Sequence, residues 1–121
     1  MEAMKVLIVD DEESITAYLK RKLDRLGYIV WVAENGEVAI DLAFTHLPDL
    51  MLLDIKLPKL SGIEVCERLK SDERTRDIAI LMLSAKAQSG EIEKGLKAGA
   101  DKYLCKPMGF QDILKEIQAF G

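Results

Sequence analysis

Apolar residues in this chain come in short unbroken runs, and between the runs they recur at helical spacing. The first run is KVLIV (5–9), and it ends in the acids Asp10 and Asp11. Ile15, Leu19, Leu23 and Leu26 follow at steps of three and four, which predicts an amphipathic helix stopped by Gly27. Residues 28–33 are rich in β-formers and close at the turn pair Asn35-Gly36. Val38, Leu42, Ala43 and Leu47 mark a second helix before Pro48. DLMLLD (49–54) is the third run and again ends in an acid. Ile63, Cys66 and Leu69 predict a third helix, and residues 78–83 a fourth strand ending at Ser84. Ile92 and Leu96 give a short, weakly apolar helix ending at Gly99. YLCK (103–106) is the fifth run, interrupted by Pro107, and Phe110, Ile113, Leu114, Ile117 and Phe120 form the last helix.

The pattern is (βα)5. Runs without alternation belong to strands buried on both faces. Right-handed crossovers then give an α/β fold, an open parallel sheet with helices on both sides. In such sheets ligands bind outside the carboxyl ends of the strands. Asp10 and Asp11, Asp54, Ser84 and Lys106 all stand at those ends. Each has a plain structural reading on its own: Asp11 or Ser84 as a helix cap, Lys106 as a solvated surface lysine. Their common location argues for a site.

Composition narrows the field. At 121 residues the chain fits one domain with one sizeable core. With 49% apolar and 31% charged residues it reads as globular rather than disordered. No apolar run nears the roughly 18 residues of a membrane span, and residues 1–5 hold no signal-peptide pattern. The net charge of −4 argues against direct nucleic-acid binding, which calls for a basic patch. Cys66 and Cys105 show neither metal-ligand spacing nor a disulfide framework; both read as reduced cytoplasmic thiols, and Cys105 as a small buried hydrophobe.

Carboxylates gathered at one edge raise one another's pKa, and a hard divalent cation relieves that. Mg²⁺ suits Asp10, Asp11 and Asp54, since it takes oxygen ligands and keeps room for water and phosphate oxygens. No His or Cys pattern suggests zinc. Lys106 supplies a point charge and Ser84 a hydroxyl for phosphoryl oxygens. A nucleophilic carboxylate, a metal, a lysine and a hydroxyl form a phosphoryl-transfer set.

From Lys5 to Ala119 the sequence resembles the receiver domains of bacterial two-component signalling, the chemotaxis-regulator-like family. The resemblance rests on VLIVDDE (6–12), GY (27–28), AENG (33–36), PDLMLLDIKLP (48–58) with Gly62, MLSAK (82–86) and GADKYLCKP (99–107), in that order and spacing. It implies a flavodoxin-like doubly wound sheet in the order 2-1-3-4-5. It implies a single receiver domain over 1–121, core about 5–119, with room for a C-terminal output domain in a longer chain. Asp54 would take a phosphoryl group from the phosphohistidine of a sensor histidine kinase or phosphotransfer protein, or from a small phosphodonor. Asp10, Asp11, Asp54 and the main-chain carbonyl of Lys56 would hold Mg²⁺. Lys106 would pair with Asp54 and then with the phosphoryl group. Ser84 would be the switch hydroxyl and Tyr103 the switch aromatic that turns inward with it. The Lys106-Pro107 peptide would be cis. The surface of helix 4, strand 5 and helix 5 would carry the signal to an output domain or downstream protein, in the cytoplasm, as a signalling domain rather than an enzyme.

Two departures from the family stand out. Met108 occupies a position where the family often has Phe, so the apolar anchor is Met108 or Phe110. Ile92, Lys102 and Glu116 stand where one DNA-binding subfamily carries basic, acidic and basic groups for dimerisation, which puts that dimer in doubt. Lys56 and Lys86, two residues after Asp54 and Ser84, are candidates to obstruct the hydrolytic water and lengthen the phosphoryl lifetime. His46 reads as solvent-facing, Trp31 as packing at a sheet edge, and residues 71–77 as a solvated loop.

The rival readings each fail at a residue. A Mg²⁺-dependent aspartyl phosphatase or phosphotransferase typically has a second Asp two residues after the nucleophile, and here that position is Lys56. A flavin or nucleotide binder on this fold needs a Ser/Thr/Gly-rich phosphate loop after the first strand, where DDEE (10–13) stands. A pseudo-receiver acting only as an interaction module is at odds with the intact acid, Ser and Lys set.

Overall fold

The structure is a computed structural model that describes residues 3–84 and 89–120. Its elements run β1 (Lys5–Val9), α1 (Glu13–Arg25), β2 (Ile29–Ala33), α2 (Gly36–His46), β3 (Leu50–Asp54), α3 (Gly62–Lys70), β4 (Ala79–Ser84), α4 (Ser89–Lys97), β5 (Lys102–Cys105) and α5 (Phe110–Phe120). The five strands form one parallel sheet in the order β2-β1-β3-β4-β5. This is the doubly wound architecture read from the apolar runs.

Strand alternation divides the core in two. Leu7, Val9, Met51, Leu53, Ile80 and Met82 point to one face, where Ala39, Ala43, Val65, Cys66 and Leu69 of α2 and α3 cover them. Val6, Ile8, Leu50, Leu52, Leu81 and Leu83 point to the other, under Leu19 and Leu23 of α1 and Ile113 and Ile117 of α5. Both faces exclude water, so these strands carry no polar alternation. Each fully buried Leu or Ile contributes about 1.5–3 kcal/mol by transfer from water.

Local chemistry sets the helix ends. Asn35 Oδ1 accepts from the Val38 amide and Ser61 Oγ from the Glu64 amide, each capping the helix that follows. Asn35-Gly36 is thus a helix start rather than a separate turn. Gly36 and Gly62 are required for close approach: a Cβ at Gly36 would meet Leu60 O at 2.4 Å, and one at Gly62 would meet Asp54 O at 2.3 Å. They clamp the loop after β3 against α2 and against the end of β3 itself.

Several sequence expectations need correction. α2 buries Ala39 and Ala43 and leaves Val38 and Leu47 exposed, because small residues let the helix lie close to the sheet. Cys105 is exposed rather than buried. It ends the edge strand and points away from the face that buries Leu104. His46 is half-buried, its ring stacked on Trp31 at 4.2 Å and 14°. Residues 71–77 are an exposed stretch of turns, as expected, with Thr75 buried in it and its hydroxyl donating to Leu69 O at 2.6 Å. Met108 and Phe110 both pack against the α1–α5 core, so neither alone is the anchor. No described helix is long and apolar enough to cross a membrane.

Candidate functional site

Parallel pairing brings the strand ends into one row. Val9 pairs with Leu53, Asp54 with Leu83 and Ser84 with Cys105. Asp10 follows β1 directly, its amide bonded to Ala33 O at 3.1 Å. Lys106 follows β5, its amide bonded to Ser84 O at 2.7 Å. The peptide from Lys106 to Pro107 is cis. Asp10, Asp11, Asp54, Ser84 and Lys106 therefore share the carboxyl edge of the sheet.

The carboxylates are held by backbone donors. Asp10 Oδ1 accepts from the Glu12 amide at 3.0 Å, and Asp54 Oδ1 from the Lys56 amide at 3.2 Å. Asp10 is a strand-end acid tied into the turn before α1; it is 4% exposed. Asp11 is exposed and caps nothing, since the residue before α1 is Glu12, whose side chain makes no cap. Lys106 Nζ donates to Asp10 Oδ2 at 2.9 Å and to Asp54 Oδ2 at 3.3 Å. The lysine thus bridges two acids, and the shorter bond goes to Asp10 rather than to Asp54.

Burial raises the Asp54 pKa, and the Asp10 charge adds to that against the opposing pull of Lys106 and the Lys56 amide. Burial works against the Lys106 charge, but the Asp10 bond and the charges of Asp54 and Asp10 outweigh it and raise that pKa as well. One oxygen from each of Asp10, Asp11 and Asp54 lies within 4.8 Å of the others. Three hard oxygen donors that converge with a single lysine between them fit a small divalent cation; no softer ligand is among them.

Ser84 is 2% exposed at the end of β4. Tyr103 is half-buried on β5, its phenol pKa raised by burial, with Ser84 acting the other way and Glu91 adding to the rise. Lys56 is exposed. Lys86 lies outside the described residues. On the far side of β5, Lys102 is ion-paired with Glu116 of α5 within the chain. Glu91 of α4, next to Tyr103, was not singled out by sequence reasoning; its acid has no periodic or motif signal.

The response regulator receiver domain profile matches residues 6–118. The chain belongs to this family. It is 44% identical over 115 residues to the alkaline phosphatase synthesis transcriptional regulatory protein PhoP of Bacillus subtilis, covering 95% of this chain and 47% of that protein. The receiver therefore spans about half the length of the curated relatives it matches. Its fold superposes on the chemotaxis response regulator CheY4 of Vibrio cholerae with a TM-score of 0.92 at 28% identity, over 99% of this chain and 100% of that one. It also superposes on the receiver domain of the Pseudomonas aeruginosa sensor histidine kinase PA1611, with a TM-score of 0.89 at 28% identity over 98% of both chains. That structure has a magnesium ion coordinated in its active site cleft.

Proposed function

We propose that this receiver is a phosphoacceptor switch in which Asp54 takes a phosphoryl group from the phosphohistidine of a sensor kinase, or from a small phosphodonor. The observation that carries the reading is Lys106 bridging Asp10 and Asp54 beside the exposed Asp11. An Asp54 oxygen forms the new P–O bond as the P–N bond of the donor breaks, and the imidazole leaves with its electron pair. Asp10, Asp11 and Asp54, with the Lys56 carbonyl, would hold Mg²⁺. The bound ion would supply positive charge against the phosphoryl oxygens. Lys106 exchanges its carboxylate partners for a phosphoryl oxygen, and Ser84 donates to another.

The output follows from charge. Phosphorylation adds about −1.5 to −2 charge and three strong acceptors. Ser84 moves toward them, Tyr103 turns into the space it leaves, and the surface of α4, β5 and α5 shifts within a pre-existing two-state equilibrium. The domain signals in the cytoplasm through that surface to an output domain or partner, without contacting nucleic acid itself. Acetyl phosphate with Mg²⁺ should add one phosphoryl mass, and Asp54→Asn should abolish it. Unchanged labelling of that variant would remove Asp54 from the mechanism.

A further inference from the structure

α4 lies close over the Tyr103 ring. A Cβ at the buried Gly95 would stand 3.3 and 3.5 Å from two carbons of that ring and 2.8 Å from Met82 Sδ. Glycine inside a helix lowers its stability, so what it gives here is the close approach. Glu91 precedes Gly95 by one helical turn and shares its face of α4. Glu91 Oε2 and Tyr103 Oη are both shut away from water, and neither makes a well-aligned hydrogen bond. Burial is the main reason that the phenol pKa is raised; Ser84 works against it from the end of β4, and Glu91 and Cys105 add to it. The phenol thus stands between a hydroxyl on the sheet and a carboxylate on the helix.

An acid in the first turn of a helix favours the helix dipole, but it does so from water as well. Burying a carboxylate oxygen beside a phenol costs hydration on both sides, and a bond between the two offsets that cost. We propose that Glu91 is a positioning residue of the switch: its carboxylate accepts from the Tyr103 phenol when Ser84 turns away to a phosphoryl oxygen, and so holds the ring beneath α4. This deepens the phosphoacceptor reading and rests on it. Without Glu91 the inward phenol has no acceptor once Ser84 has moved, and the ring swings out from under the helix.

The test mimics the departure of Ser84 by Ser84→Ala in the unphosphorylated chain and follows the ring by ¹⁹F NMR of 3-fluorotyrosine. The chain has three tyrosines, and Tyr103→Phe assigns the resonance. Ser84→Ala should leave the Tyr103 resonance at its folded position. Adding Glu91→Ala should carry it at least about halfway to its position in the urea-unfolded chain, and Glu91→Gln in its place should hold it. In the otherwise native chain, Glu91→Gln should lower the midpoint of the Tyr103 phenol titration, because an anion is removed, whereas Glu93→Gln at an exposed position of α4 should not. A role confined to the helix dipole moves neither readout. Release of the ring by Ser84→Ala alone, retention in the double alanine variant, failure of Gln to hold it, or an unmoved midpoint would overturn the proposal. If the double variant does not fold by circular dichroism, the midpoint decides alone. No measurement involves phosphorylation, so failure here is distinct from failure of the phosphoacceptor reading.

Discussion

The two edges of the sheet handle charge in opposite ways. At the amino edge, Lys70 Nζ donates to Arg76 O, Ile78 O and Asp101 Oδ2 at 3.0, 2.7 and 3.0 Å. Asp101 also accepts from the Ile80 amide, and Asp49 from the Lys5 amide, each at 2.8 Å. Lys70 there has its anion in Asp101, and the remaining bonds go to or from backbone. At the carboxyl edge three acids share one lysine, and Asp54 has its pKa pushed up. The amino edge is an arrangement for holding strands together; the carboxyl edge keeps an excess of negative charge that an added cation would offset. That excess distinguishes a site from a structural network more clearly than the residue types do, since both edges use lysine and aspartate.

The largest effect should come from chelation: EDTA should abolish labelling by acetyl phosphate while leaving the fold intact by circular dichroism. Labelling that persists in EDTA would mean the acids need no metal. Next, Lys70→Met should cost about 1–2 kcal/mol in urea unfolding, because it leaves the Asp101 carboxylate and two carbonyls short of a donor. Lys106→Met should cost more, about 3 kcal/mol, because it strips the cation from the largely buried Asp10 and Asp54 carboxylates, and it should slow labelling at least about tenfold. A reversed order of stability losses would erase the contrast between the edges. Lys106 also has a pH signature. Its raised pKa contributes stability that is present at neutral pH and is lost as pH rises past the ordinary lysine range.

The smallest effect has an unusual sign. Asp54 has a raised pKa in the fold, so its ionisation costs stability as pH climbs from the ordinary aspartate range through that raised value. Metal-free Asp54→Asn should therefore be more stable than the native chain, read as a higher urea midpoint. A clear loss of stability would mean the carboxylate is a structural anchor.

Sequence patterning disclosed the carboxyl edge and passed over the amino one. Asp10, Asp54, Ser84 and Lys106 stand immediately after apolar runs, so strand direction alone collects them at one edge. Lys70 and Asp101 are 31 residues apart and neither closes a run; only the packing of α3 against the start of β5 joins them. The strands were legible because burial on both faces leaves a continuous apolar signal. The face of α2 was not, because alanines at Ala39 and Ala43 carry less hydrophobic weight than the exposed Val38 and Leu47. Cys105 was misread for a related reason: an apolar residue at the tip of an edge strand looks like core in sequence and is not. The double engagement of Lys106 was out of reach, since spacing does not say which of two nearby acids a lysine prefers.

The central claim is that the excess of negative charge at the carboxyl edge is a cation site, and calorimetry with Mg²⁺ tests it most directly. The native chain and an Asp101→Asn control at the amino edge should each bind one Mg²⁺ with similar affinity, whereas Asp11→Ala should lose at least about tenfold. Equal affinity in Asp11→Ala and the native chain, or a loss on altering Asp101 instead, would contradict the account.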